Sequence, residues 1–205
     1  NSMKKIFFLS FSIFMLLILS ACAPTYYLNE KLEKNPPKVV IILPPDNQTS
    51  NTEVEEKLYP ILYDILSNRG YYCVSPELAR MVFNANKLNE AGRIHEIPPN
   101  KFREIFAADA ILRTRVTDWS VSYVVISSSI TVTLEMELFD SKSGELLWSM
   151  TRTLQQSSGS ANAGLIGSII SAAISTATFE YEPIAEENSA FMFKTIPEGP
   201  YYDKW

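Results

Sequence analysis

Ile130-Thr131-Val132-Thr133-Leu134-Glu135-Met136-Glu137-Leu138-Phe139-Asp140-Ser141-Lys142-Ser143-Gly144-Glu145-Leu146-Leu147-Trp148-Ser149-Met150 decides the fold. Ile130, Val132, Leu134, Met136 and Leu138 fall on one side, and Thr131, Thr133, Glu135 and Glu137 on the other. A period of two belongs to a strand with one covered and one solvated face. Asp140 to Gly144 is then a turn, with Gly144 placed to take a positive φ. Glu145 to Leu154 returns as a strand, with Leu146, Trp148 and Met150 matching the apolar side of its neighbour. The first of these strands is expected to reach back to Tyr123. Before it, Asp109 to Trp119 sets Ala110, Leu112, Thr114 and Val116 against Ile111, Arg113 and Arg115. These three segments predict an antiparallel meander.

Working outward, Lys38 to Leu43 is a near-continuous apolar run, expected as a central strand covered on both faces, and Pro44-Pro45 ends it. Thr52, before Glu53, Glu55 and Glu56, predicts a helix start with acidic residues near the positive end of the dipole. Val54, Leu58, Ile61, Leu62, Ile65 and Leu66 keep helical spacing up to Gly70, but Pro60 predicts a kink or a split. Tyr71 to Val74 is a short strand. Ser75-Pro76-Glu77 opens a helix running towards Ala85, Leu88 to Pro99 is expected to be a loop, and Asn100 to Phe106 a helix. The fold class is α/β: a mixed five-stranded sheet with an antiparallel meander in the second half and helices packed on it. The expected organisation is a signal peptide over 1–21, a tether over 22–37, the α/β domain over 38–180 and a Pro-rich, aromatic tail over 181–205.

At the amino-terminal end, Lys4 and Lys5 precede an apolar stretch from Ile6 to Leu19, too short for a spanning helix and built like a secretory signal. It closes in Leu19-Ser20-Ala21-Cys22, which resembles the lipobox of bacterial lipoproteins. The resemblance implies cleavage before Cys22, diacylglycerol on its thiol and an N-acyl chain on its amine. With roughly 0.8 kcal/mol gained per buried CH₂, two or more chains hold a protein at a membrane where one does not. In many Gram-negative bacteria an Asp after the lipidated cysteine favours inner-membrane retention. Ala23 stands there instead, which implies the outer membrane.

Removing Lys4 and Lys5 lowers the basic residues from 18 to 16 against 23 acidic ones, so the net charge moves from −5 to −7. That balance argues against a nucleic-acid partner. With Cys22 lipidated, Cys73 has no intramolecular partner and is expected to be a buried, inert thiol. Chemistry is poorly served. His95, in His95-Glu96-Ile97-Pro98-Pro99, is the only histidine, and no Gly-x-Ser-x-Gly elbow accompanies it. One histidine and one free cysteine do not build a transition-metal site. Pro44-Pro45-Asp46-Asn47-Gln48 is no glycine-rich phosphate cradle. Glu135 and Glu137 share a face expected to be solvated. No catalytic, metal or cofactor residue is expected.

Ala163 to Phe179 carries no charge, and Gly164, Ser168, Ala172 and Thr176 fall four apart. The segment is a core helix over the sheet, or an association surface, because small residues let a second backbone approach closely, or, with its serines and threonines against it, a segment that inserts into a membrane when an assembly forms. In the second reading Gly164, Gly167, Ser168, Ile169 and Ala172 make the self-association or partner contact. The tail aromatics Tyr201, Tyr202 and Trp205 are expected to strap the domain, with a partner anchor as the alternative.

Ile42-Leu43-Pro44-Pro45-Asp46-Asn47, Arg69-Gly70-Tyr71-Tyr72, Pro98 to Ala110, Val125-Ile126-Ser127-Ser128, the Asp140 to Trp148 turn and Gly164-Leu165-Ile166-Gly167 occur together and in order. The set resembles a family of bacterial lipoproteins that includes a meningococcal surface vaccine antigen. The likeness spans nearly all of the chain after Cys22; the tail and Cys73 depart from it. It implies a fold like the amino-terminal domain of the Tol-system periplasmic protein, and partners among envelope lipoproteins of the curli-type secretion kind. The expected function is therefore a lipid-anchored outer-membrane lipoprotein. It would act as a non-enzymatic, homo-oligomeric assembly or binding module of a secretion or transport complex. The alternative is a surface adhesin or antigen that binds host material.

Overall fold

Seven strands among the described residues form one mixed sheet, in the order Tyr26–Leu28, Leu146–Ser157, Ser127–Asp140, Ala110–Val124, Val39–Ile42 and Tyr72–Cys73, with Asp46–Asn47 paired to Ala110–Val124 off that path. The structure, a computed structural model, describes residues 25–124, 127–157 and 180–202. The strands are β1 (Tyr26–Leu28), β2 (Val39–Ile42), β3 (Asp46–Asn47), β4 (Tyr72–Cys73), β5 (Ala110–Val124), β6 (Ser127–Asp140) and β7 (Leu146–Ser157). The helices are α1 (Glu30–Lys34), α2 (Val54–Asn68), α3 (Pro76–Ala85), α4 (Ala91–His95), α5 (Pro99–Phe106) and α6 (Glu182–Phe193). β5, β6 and β7 pair antiparallel, and β2 runs parallel to both β4 and β5. The α/β class and the meander are as the sequence predicts, but the sheet has seven strands rather than five, because β1 and β3 join it.

The period-two segment buries Ile130, Val132, Leu134, Met136 and Leu138 on one face. Two details of the meander differ from expectation. β5 continues to Val124, which pairs antiparallel with Ser127, so β6 does not begin at Tyr123. Tyr123, Val124, Val125 and Ile126 are all strand formers, and they carry none of the Gly, Pro or Asn that mark a turn. The β6–β7 register also shifts after Leu138↔Trp148, so that Phe139 meets Leu146. Leu147 is the extra residue of this bulge. It is buried with Trp148 and Met150, while Leu146 turns to the other side.

β2 is central, with Val40 and Ile42 facing one core and Ile41 and Leu43 the other. The larger core lies under α2 and α6, and the smaller one under α3, α4 and α5. α2 runs unbroken through Pro60. Pro60 and Glu56, whose carbonyl loses its i+4 donor, are both exposed, so water can take that carbonyl. The helix starts without a Thr52 cap. Glu53 holds the capping position, and Asn51 Oδ1 accepts the Glu53 N–H at 2.9 Å. Ser75 caps α3 as expected, accepting the Leu78 N–H at 3.2 Å. The expected 88–99 loop contains the short helix α4.

The expected boundaries at 37 and 181 are not structural boundaries. β1 pairs with β7, and Leu32 of α1 is fully buried in the larger core. Leu32 was hidden in the sequence as the one apolar residue among four charges. The expected tail supplies α6, with Ile184, Ala185, Met192 and Phe193 fully buried. Asn188 and Ser189 lie between these pairs on the same buried side, which disguises the apolar face. Asn188 is satisfied there. Its Nδ2 donates to the Val132 carbonyl at 3.0 Å, and its Oδ1 accepts from Arg152 Nη1 at 2.8 Å. After α6 the chain straps back. Gly199 N–H donates to the Arg69 carbonyl at 2.7 Å, and Tyr201 N–H to the Gly70 carbonyl at 3.0 Å. Gly70 has φ +84° and no room for a Cβ beside the Tyr202 backbone, so it both ends α2 and seats the strap.

Candidate functional site

α3, α4 and α5 cover the β2–β4 end of their face of the sheet and the Ile111 end of β5, and among the described residues no helix lies over the rest of β5, β6 and β7 on that side. Strand alternation there presents Arg113 and Arg115 from β5, Glu135 and Glu137 from β6, and Ser149 and Thr151 from β7. Tyr26 and Tyr27 of β1 wall one flank and His95 of α4 the other, enclosing a cavity of about 710 Å³.

The register sets the electrostatics. Arg115 and Glu135 are cross-strand partners and form an ion pair at 3.1 Å, and Asp46 stands 3.5 Å from Arg115 Nε. The Glu135 hydrogen bond is the main cause raising the Arg115 pKa. Arg113 stands opposite Glu137 but donates from Nη2 to the Ile97 carbonyl at 3.0 Å, and its guanidinium lies 4.9 Å over the Phe139 ring. Burial lowers its pKa, with Glu137 opposing, and its Nε is buried without a partner. His95 Nε2 lies 2.9 Å from the Pro44 carbonyl. That oxygen only accepts, so Nε2 carries the proton. Burial pushes the His95 pKa below its ordinary value, with the Pro44 bond opposing, which keeps the ring neutral near pH 7. His95 thus braces the turn after β2. Among the described residues no group of three His, Cys, Asp or Glu is placed to hold a metal ion. The arrangement suits the binding of charged groups.

A second concave surface follows the other end of the sheet. β4 ends the strand order. Tyr72 and Val74 N–H groups donate to the carbonyls of Lys38, just before β2, and of Val40 within it, so the N–H and C=O of Cys73 point away from the sheet. Beside this edge a groove of about 1130 Å³ runs between α3 and α5, with Leu78, Ile105 and Tyr202 on its walls. Its aromatic and aliphatic groups are open to solvent: Tyr72 is 63% and Ile105 56% exposed. Cys73 lines the groove but is itself buried and free, and burial pushes its thiol up to about 12.

Of the residues singled out from sequence, Cys22, Gly164, Gly167, Ser168, Ile169, Ala172 and Trp205 lie outside the described residues. Glu135 and Glu137, expected on a bland solvated face, form one wall of the cavity. Arg113, Arg115, Tyr26 and Tyr27 escaped notice as site residues. The signal for the arginines was present, because both fall on the side of β5 that matches Glu135 and Glu137. Tyr26 and Tyr27 lie in the segment expected to be a spacer. No described helix is long and apolar enough to cross a membrane.

The family model for GNA1162-like lipoproteins matches residues 27–191. Lipoprotein NMB1124/NMB1162 of Neisseria meningitidis serogroup B is 32% identical over 162 residues, covering 77% of this chain and 75% of that protein. The crystal structure of lipoprotein GNA1162 from Neisseria meningitidis matches with a TM-score of 0.59 and 30% identity, over 69% of this chain and 98% of that one. The PelC dodecamer from Paraburkholderia phytofirmans matches with a TM-score of 0.50 over 79% of this chain and 88% of that one. At 14% identity that likeness is one of fold.

Proposed function

The chain belongs to the GNA1162-like lipoprotein family, and from that premise we propose that it is a lipid-anchored, non-enzymatic assembly module of the outer membrane that docks another envelope lipoprotein along β4. Cys22 carries the diacylglycerol and N-acyl lipid. The observation that carries the docking reading is the β4 edge, which no described strand covers, beside an apolar groove. The outward N–H and C=O of Cys73 offer main-chain hydrogen bonds, and Leu78, Ile105 and Tyr202 offer apolar seats. Those are the terms on which an extended segment adds to a sheet. An uncovered edge with exposed apolar groups is otherwise a liability for a soluble domain. The partner is an extended apolar segment of an envelope lipoprotein of the curli-type secretion kind. We further propose a separate self-contact at Gly164, Gly167, Ser168, Ile169 and Ala172.

The test is a photoreactive residue at Tyr72 in native membranes, with crosslinks read by mass spectrometry. The expected product joins this protein to a second envelope lipoprotein. Crosslinks only between copies of this chain would make the edge a self-contact, and none at all in folded, acylated protein would overturn the docking reading. Protease shaving of whole cells separates this function from surface adhesion, because a domain displayed outside is lost and one facing the periplasm survives.

A further inference from the structure

The open cavity holds one opposed pair of charges that the protein leaves unjoined. Arg115 is engaged by Glu135 and Asp46. Arg113 and Glu137 are in direct cross-strand register, yet no ion pair within 4.0 Å forms between them. Arg113 has its single Nη2 bond to Ile97, and its Nε has no partner. Glu137 accepts no hydrogen bond among the described residues. A cation and an anion side by side, each with unmet capacity, are complementary to a zwitterion: anionic oxygens for the guanidinium and an N–H-bearing cation for the carboxylate. A cavity of about 710 Å³ is of a size that takes a small polar molecule.

The chain path says where such a group comes from. Thr25 lines the same cavity, and Cys22 lies three residues before it. Three residues span at most about 11 Å. A bilayer's hydrocarbon core is about 30 Å thick and the whole bilayer about 40–45 Å, so each headgroup layer is roughly 5–8 Å deep. A domain tied to acyl chains at Cys22 therefore holds the rim of this cavity at or just above the headgroups. Tyr26 and Tyr27, which form that rim, are 44% and 47% exposed, and tyrosine is suited to a boundary with one apolar and one wet side.

We propose that the cavity between Arg113 and Glu137 takes the zwitterionic headgroup of a phosphoethanolamine lipid, with the phosphate on Arg113 and the primary ammonium on Glu137. The location rests on lipid attachment at Cys22 as proposed above, whereas the chemistry rests on the cavity alone. A headgroup seated there fixes the tilt of the domain on the membrane, which the acyl anchor by itself leaves free.

The test is calorimetric titration of the detergent-extracted full chain with dihexanoyl phosphoethanolamine lipid, the matching phosphoglycerol lipid and water-soluble phosphoethanolamine. The phosphoethanolamine lipid is expected to bind and the phosphoglycerol lipid to bind at least about ten-fold more weakly, the difference expected from one charged hydrogen bond. Glu137→Gln weakens the phosphoethanolamine lipid by about as much and removes the preference. Arg113→Gln weakens both lipids and Arg113→Lys restores part of the loss. Equal binding of both lipids, or unchanged binding by Glu137→Gln at an unchanged melting temperature, overturns the proposal. Water-soluble phosphoethanolamine binding as tightly as the lipid overturns the lipid source. Mass spectrometry of the Cys22 peptide and the same titration on Cys22→Ser keep the two readings apart. An unacylated Cys22 with headgroup binding intact sinks only the anchor, and an acylated Cys22 without headgroup binding sinks only the site.

Discussion

The two faces of the β5–β6–β7 meander come from the same strands, yet they obey different rules. One face sets Val132, Leu134, Met136, Leu138, Trp148 and Met150 against α6 and α2, with no access for water. The other alternates between them and presents Arg113, Arg115, Glu135, Glu137, Thr133 and Thr153 to solvent. On the closed face stability comes from burial and from satisfying polar groups trapped there such as Asn188 and the Trp148 indole N–H, although Trp119 Nε1 and Ser189 Oγ are buried without a partner. On the open face charges meet in water, where an ion pair such as Arg115–Glu135 contributes little. The closed face therefore holds the fold and the open face is free to carry a site.

Trp148→Ala gives the largest expected effect. Trp148 is fully buried, stacks 6.1 Å from Phe193 and donates its indole N–H to Thr195 Oγ1 at 2.8 Å. Loss of about 3–5 kcal/mol is expected in urea unfolding. A loss below about 1 kcal/mol would mean α6 is not docked as described.

Asn188→Ala comes next, at about 1–3 kcal/mol, because it leaves the buried Val132 carbonyl without its donor. Asn188→Leu, which fills the volume but makes no hydrogen bond, distinguishes lost packing from lost hydrogen bonding. Recovery with leucine would show that the polar centre of α6 is dispensable. Gly70→Ala falls in the same range. A residue other than glycine at φ +84° is strained, and its Cβ displaces the strap at Tyr202. Faster proteolysis after residue 196 is the accompanying readout.

His95 gives a smaller effect, and pH reveals it. Its folded pKa lies below the unfolded value, so its contribution to stability is fully present above the unfolded pKa and is lost as pH falls through the folded one. The melting temperature of the protein should fall on acidification below about pH 6.5, and His95→Gln should flatten that slope. An unchanged slope would place the acid-sensitive group elsewhere. The smallest effect belongs to the open face. Arg115→Ala is expected to cost less than about 1 kcal/mol, since the Arg115 side chain is half exposed. A cost like that of Trp148→Ala would abolish the contrast between the two faces.

Much of the frame was legible in the chain. The Ile130–Leu138 alternation, the Gly144 turn, the doubly covered β2 and the Ser75–Pro76 helix start each stand where local chemistry puts them. Each is set by residues within a few positions of one another. The misreadings share a different cause. The end of β5 at Val124 and the start of β6 at Ser127 fall among strand formers, with no Gly, Pro or Asn to mark either. Leu147 is buried only because a bulge shifts the register of two strands. Pro60 is tolerated because the side of α2 that loses its hydrogen bond faces water. Of the site, the charge pattern of Arg113, Arg115, Glu135 and Glu137 was readable as types on a strand face, but not as a cavity.

The sequence by itself determined the fold class, the meander, the family and the cysteine on which the anchor reading rests, because periodicity, turn chemistry and short motifs are local properties. Only the tertiary structure decided that residues 26–34 and 182–193 belong to the domain, since Leu32, Asn188 and Phe193 acquire their burial from partners more than forty residues away. Only the tertiary structure set Arg113 opposite Glu137 without joining them, and left β4 with no strand beyond it among the described residues. Register and edge are relations between segments, and no single segment carries them.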